Sequence, residues 1–152
     1  MTVRSRFSLD TNILVYAVDR DAGERHRVSR ELIGRAARCD CVLTVQALAE
    51  FFHATTRKNL LDPERAGAFL RGWRDVFEVT AADDSALIDA VDAVGEHRFS
   101  FCDAMLWSTA RRSGCSAILT ENMQHGRRLG GVAFLNPFAA DAATRLAPLL
   151  DP

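Results

Sequence analysis

The stretch Cys41-Val42-Leu43-Thr44-Val45-Gln46-Ala47-Leu48-Ala49-Glu50-Phe51-Phe52 changes its periodicity partway along. Its first five residues are apolar or β-branched and of strand length. After Val45 the spacing turns helical: Leu48, Phe51, Phe52 and Thr55 share one face, and Gln46, Glu50, His53 and Arg57 form the opposite stripe. A strand running directly into a helix is half of a β-α unit, and the alternation recurs on both sides. Upstream, Phe7-Ser8-Leu9 reads as a brief strand, with a helix over 12–18. A second helix over 24–38 carries Val28, Leu32, Ile33 and Ala36 at helical spacing.

Downstream, Asp62-Pro63-Glu64 opens a helix that ends near Asp75, with an Asp cap and Pro just inside the start. Strand-like Val76-Phe77-Glu78-Val79 follows, then a helix capped by Asp83 or Asp84 that runs to about Glu96. Asp103 opens a helix to Arg112, which Gly114 ends. Residues 116–120 form a strand, Val132-Ala133-Phe134 another, and the tail from Pro137 is partly helical. This order predicts an α/β fold whose central, mainly parallel sheet is flanked by helices. No linker or repeat divides it, so residues 1–152 read as a single domain. Sites in such sheets form beyond the carboxyl ends of the strands. Asp10 ends a strand there, Asn122 lies just past another, and Asp103 begins a helix at the same expected edge.

Composition narrows the function classes. A net charge of -1 argues against a generally basic nucleic-acid coat protein, so any nucleic-acid surface must be local. The longest uninterrupted apolar run, residues 13–18, is far short of the ~20 residues a membrane span needs. Arg4 and Arg6 suit the start of a signal peptide, but Asp10 and Asn12 interrupt the apolar region that should follow. The expected location is cytoplasmic, with no membrane partner. The four cysteines, Cys39, Cys41, Cys102 and Cys115, lack paired zinc or redox spacing and read as reduced thiols.

Three acids stand in apolar settings: Asp10 after Phe7-Ser8-Leu9, Glu50 before Phe51-Phe52, and Asp103 between Phe99-Ser100-Phe101-Cys102 and Ala104-Met105-Leu106-Trp107. A carboxylate buried without compensation protonates or destabilises the fold, so such charges are normally paired or metal-bound. No Lys or Arg lies within four residues of Glu50 or Asp103. Each acid also has a plainer reading: Asp10 and Asp103 as helix caps, and Glu50 as part of a solvated polar stripe.

Taken in order, Leu9-Asp10-Thr11-Asn12, a Glu in the helix after the second strand, Asp103 opening a late helix, and Leu119-Thr120-Glu121-Asn122 resemble the PIN-domain nuclease family. More narrowly they resemble its VapC-type toxins of type II toxin–antitoxin systems. The resemblance runs from Phe7 to about Phe138, and Thr120-Glu121-Asn122-Met123-Gln124-His125-Gly126 adds to it. It implies a PIN-like three-layer fold and a Mg²⁺- or Mn²⁺-dependent endoribonuclease that hydrolyses RNA phosphodiester bonds. It also implies a cognate antitoxin and a homodimer.

By that resemblance Asp10, Glu50 and Asp103 are the catalytic, metal-binding carboxylates. Asn122 stands where the family usually carries a fourth acid, and it offers a neutral oxygen but no charge. Thr11, Asn12 and Thr120 match positions that support the acids or the metal's waters, and Glu121 is a possible substitute acid.

The chemistry suits that set. A divalent cation held by carboxylates activates water and neutralises charge on the phosphate. Like charges ~4 Å apart otherwise repel by about 4 kcal/mol at an effective dielectric of 20. RNA phosphates need cations around the acids. Arg25, Arg27, Arg30, Arg57-Lys58 and Arg111-Arg112 are candidates, with Arg127 and Arg128 favoured for their place after Asn122. No histidine reads as a ligand. An antitoxin segment could dock near Leu32 and Ile33 or Phe51 and Phe52, residues that equally suit the core, and could present Arg to the acids. The alternative function is a catalytically weakened PIN-like module that binds RNA or protein. A phosphohydrolase with Asp10 as nucleophile fits less well, since such enzymes want a second Asp where Asn12 stands.

Overall fold

The computed structural model describes residues 5–151. Arg4 of the basic start lies outside them, as do the two ends of the 1–152 span. The strand Phe7–Leu9 (β1) leads into helix Thr11–Tyr16 (α1), a 3-10 turn at Arg20–Ala22 and helix Glu24–Ala36 (α2). Then come Val42–Thr44 (β2), Val45–Arg57 (α3), Pro63–Val76 (α4), Glu78–Thr80 (β3), Asp84–His97 (α5) and Phe101–Arg112 (α6). Ala117–Leu119 (β4), Arg128–Leu129 (β5), Val132–Leu135 (β6) and Ala142–Leu150 (α7) complete the order.

The sheet is mainly parallel. β1 pairs with β4 and β4 with β6, with Leu9 opposite Leu119 and Leu119 opposite Leu135. β2 and β3 form a separate parallel pair. One bridge, Phe7 to Cys41, joins that pair to β1, and Phe7 N donates to Asp40 O at 3.1 Å beside it. Among the described strands only β5 is antiparallel, and it closes the far edge against β6.

Strand alternation builds three layers. Leu43, Ala117, Leu119, Ala133 and Leu135 face a core formed with α1, α2, α3 and α7. Val42, Ile118, Val132 and Phe134 face the opposite core, with Ala90 and Ala93 of α5 and Leu106, Trp107 and Ala110 of α6. Covered on both sides, β1, β2, β4 and β6 are buried throughout, as apolar parallel strands are.

Several expected boundaries shift. Val76 belongs to α4 and is 57% exposed, so the strand begins at Glu78. Helix α6 begins at Phe101 rather than Asp103, because the Ser100 hydroxyl accepts from Asp103 N and caps it. Asp103 therefore sits in the first turn, as the acid of a Ser-x-x-Asp capping pattern. The buried stripe of α3 is Ala47, Phe51 and Thr55, and Phe52 is exposed. The short strand β5 had no periodicity to announce it. It forms because Gly130 and Gly131, at φ +55° and +81°, turn the chain back into β6. A Cβ on Gly130 would also stand 3.1 Å from Trp107, which leaves that position little room.

Candidate functional site

Asp10 follows β1 with an extended backbone and caps α1, its Oδ1 accepting from Thr11 N at 2.7 Å. The capping reading is thus fulfilled for Asp10, but it uses only one oxygen. Oδ2 accepts from the Thr120 hydroxyl at 2.6 Å, across the β1–β4 pair. Asp10 N donates to Leu119 O at 2.9 Å, which fixes the carboxylate at the end of the parallel ladder. Thr120 is fully buried, and Asp10 is 7% exposed. The Thr120 oxygen also accepts from Asn122 N at 3.1 Å, so one hydroxyl organises both the acid and the turn after β4.

Thr11 extends the network. Its hydroxyl donates to Glu50 Oε2 at 2.9 Å, linking the start of α1 to the middle of α3. Gln46, one turn before Glu50, donates from Nε2 to Glu50 Oε1 at 3.1 Å and to Cys102 O at 3.0 Å. The first half of the polar stripe of α3, Gln46 and Glu50, therefore faces a cleft against α6, whereas His53 and Arg57 are exposed to solvent.

The three acids act on one another electrostatically. Burial pushes the Asp10 carboxyl above its ordinary pKa. The hydrogen bonds from Thr120 and Thr11 pull it back, while the negative charges of Asp103 and Glu50 push it up. Asp103, half-buried, is also raised, first by burial and then by the charge of Glu50, with the Ser100 hydroxyl opposing. The Cys102 thiol is raised by burial and by the same carboxylates. Among the described residues, no three His, Cys, Asp or Glu side chains are gathered into a ready-made metal-binding set. Both oxygens of Glu50 and both oxygens of Asp10 already accept from neighbours, which leaves Asp103 as the less encumbered oxygen donor.

The supporting residues divide. Asn12 has both amide atoms buried without a hydrogen-bond partner. Asn122 is exposed. Glu121 turns outward: Tyr16 Oη donates to its Oε1 and Arg25 Nε to its Oε2, each at 2.5 Å. The Arg25 guanidinium stands 5.3 Å from the Phe138 ring centroid, and Tyr16 meets that ring edge-on. Arg127 is engaged elsewhere, 4.7 Å from the Phe99 ring centroid with Nη2 donating to His97 O, whereas Arg128 is exposed on the edge strand.

Gln46, Ser100 and Tyr16 were not singled out from sequence as site residues. The i,i+4 spacing of Gln46 and Glu50 and the capping pattern of Ser100 and Asp103 were signals for two of them. Nothing local points from Tyr16 to Glu121. Of the residues suggested for partner docking, Leu32 and Phe51 are buried in the core and Ile33 packs against it. Only Phe52 remains at the surface.

The profile of the PIN domain family matches residues 8–128. No curated protein matches the chain. Among solved structures, a chain of the DNA-bound VapBC complex from Salmonella typhimurium superposes with a TM-score of 0.64 at 21% identity, covering 87% of this chain and 98% of that one. VapBC2 from Rickettsia felis, bound to a fragment of its promoter, gives 0.63 at 18% identity, over 86% and 98%. VapC20 from Mycobacterium tuberculosis, a toxin that cleaves the sarcin-ricin loop, gives 0.60 at 19% identity, over 74% and 86%.

Proposed function

This chain belongs to the PIN domain family, and from that premise we propose that it is a Mg²⁺- or Mn²⁺-dependent endoribonuclease, the toxin of a toxin–antitoxin pair. The observation that carries the reading is Asp10. It is nearly buried, held by Thr11 and Thr120, and pressed by the charges of Asp103 and Glu50. A fold keeps such an unneutralised carboxylate at some expense, and a cation relieves it.

The donor set fits a hard divalent ion, because every candidate ligand offers oxygen. Asp10 and Asp103 would hold it, with Glu50 acting from the adjoining wall and Asn122 contributing a neutral oxygen. When bound, such an ion neutralises charge on the phosphate and lowers the pKa of the attacking water. The chain's own residues do the rest. Thr120 and Thr11 fix both Asp10 oxygens, so the carboxylate cannot rotate away. Thr11 and Gln46 fix Glu50 as an acceptor facing the cleft, where it can take a proton from water. Phosphate groups of RNA would be met by cations at the rim, with Arg128 as the exposed candidate and Arg127 available on release from Phe99.

The test is purified protein against a panel of structured RNAs with Mg²⁺, with Mn²⁺ and with chelator. Cleavage undiminished in excess chelator would sink the metal mechanism. A second reading, a catalytically weakened module that binds RNA or protein, draws on the uncharged Asn122 and on the absence of a ready-made three-acid set among the described residues. It predicts RNA binding without cleavage under every metal condition.

The proposed partners are RNA, a cognate antitoxin and a second copy of the chain, in the cytoplasm. None of the described helices is long and apolar enough to cross a membrane. Of the residues expected to dock the antitoxin, Phe52 is the one at the surface, 37% exposed on α3. Co-expression with the adjacent upstream reading frame tests for the antitoxin. A product that neither co-purifies nor suppresses cleavage removes the antitoxin and leaves the nuclease standing.

A further inference from the structure

Beside the acids, between the start of α3 and the start of α6, lies a cavity of about 420 Å³. Its size is within the range of sites that enclose a small organic ligand, roughly 300–1,000 Å³. Glu50 and Gln46 form its polar end, and Val45, Phe101 and Met105 form its apolar walls. Phe101 is 51% exposed and Val45 48% exposed, although both stand at helix starts where a polar residue would be ordinary. An exposed aromatic ring on the wall of a cavity whose other end is a candidate catalytic glutamate is placed for a flat ring attached to a phosphate.

We propose that this cavity receives one unstacked base of the RNA, the nucleotide next to the scissile phosphate, and that Phe101 is its stacking platform. The inference rests on the ribonuclease reading above and adds to it where the strand is gripped. Single-stranded RNA is held by bases stacked on aromatic side chains as well as by phosphate contacts. Beside the scissile phosphate the surface is acidic and serves the chemistry, so the base adds grip there to that of the rim arginines. Met105 closes the pocket with a soft, adaptable side chain that fits any base. Gln46 bridges Glu50 and the Cys102 carbonyl and holds the polar end in place. A base docked in this pocket would set which bond reaches the carboxylates.

Two measurements separate this proposal from the reading beneath it. The first is a titration of the protein with AMP in chelator, followed by the methyl resonances of Met105 and Met123. Met123, 7% exposed in the α5–α6 core, is the internal control. Met105 should shift saturably while Met123 holds still. Phe101→Ala should weaken that binding about tenfold, the loss expected for one base stack, and Phe101→Trp should retain it.

The second measurement is RNA cleavage by Phe101→Ala with metal present: KM should rise and kcat change little. A Met105 methyl indifferent to millimolar AMP, or binding that survives Phe101→Ala, overturns the base pocket whether or not the protein cleaves RNA. If wild-type Met105 ignores AMP and Phe101→Ala converts a sedimenting dimer into monomer, the face belongs to a second copy and the proposal fails. A protein that cleaves no RNA but shows the Phe101-dependent AMP response keeps the pocket and loses the ribonuclease.

Discussion

Asp10 and Asp103 carry the same group, and the charge of one bears on the other, but they are held in unlike ways. Asp10 takes hydrogen bonds from two elements, Thr11 N in α1 and the Thr120 hydroxyl after β4, and its backbone is tied to Leu119. Asp103 is placed by a single turn of its own helix, through Ser100. Burial raises the pKa of both, more completely enclosing Asp10 than half-buried Asp103. One acid is thus built into the sheet, and the other rides on a helix that can adjust. Preorganised groups lose least when they act, so Asp10 should set the position of the site and Asp103 should follow it.

The sharpest way to break this contrast is Asp10→Asn, which removes the charge and keeps the shape. RNA cleavage should fall by about a thousandfold or more, with the fold retained by circular dichroism, because on the proposed mechanism a bound metal would lose its fixed ligand. Residual activity above a tenth of wild type would mean that Asp10 is a cap and nothing else. Next in size is Thr120→Val, which leaves the sheet packed but strips the bond to Asp10 Oδ2. Activity or metal affinity should drop by roughly 10–100-fold, as for other residues that orient a ligand. Isothermal titration with Mn²⁺ reads this directly, and an unchanged isotherm would make Asp10 as adjustable as Asp103.

Ser100→Ala acts on the other acid through the α6 cap. It should lower stability by about 1 kcal/mol in urea unfolding and reduce cleavage only several-fold. A loss as large as that of Thr120→Val would erase the difference between the two acids.

The smallest effect is a pH dependence of stability in chelator. Asp10 and Asp103 keep their protons to higher pH when folded than when unfolded. Below the ordinary carboxylate range both states are protonated, and the burial of neutral acids adds its full share to stability. As pH rises through that range and past the raised folded values, the unfolded chain releases protons first and stability falls. Asp10→Asn should flatten this decline and raise the melting temperature in chelator near neutral pH. If Asp103→Asn flattens it more, then Asp103 is the more strained acid and the ranking reverses.

Much of this could be read without coordinates, and what could not has a common cause. Runs such as Val42-Leu43-Thr44 and Ala117-Ile118-Leu119 carry apolar side chains for two opposite cores, so their strand character and the layered fold were evident locally. Asp62 and Asp83 cap helices where the sequence places Asp before a helical pattern. Ser100 was equally legible, since Ser-x-x-Asp marks a helix start and places Asp103 in the first turn. Three features depend on chain segments far apart: the outward exposure of Phe52, the engagement of Arg127 with Phe99, and the clamp of Tyr16 and Arg25 on Glu121. Arg25 and Glu121 stand ninety-six positions apart, and no local pattern records their meeting.

The sheet itself is not evenly knit. Between β1 and β2 there is one bridge, whereas the β1–β4 and β4–β6 ladders are continuous. That seam runs beneath the cleft, separating the strand that delivers Asp10 from the strand that feeds the helix of Glu50. Sliding along it changes the gauge between those two acids without unzipping any other pair of strands, much as two plates joined by one rivet shear before either bends. Thr11, which donates to both acids, is already one tie across the seam, and a ligand held by both acids would add another, so ligand binding here should be felt as stiffening of the whole β2–β3 half. Slower amide exchange at Leu43 and Val79, well away from the carboxylates themselves, would register that stiffening.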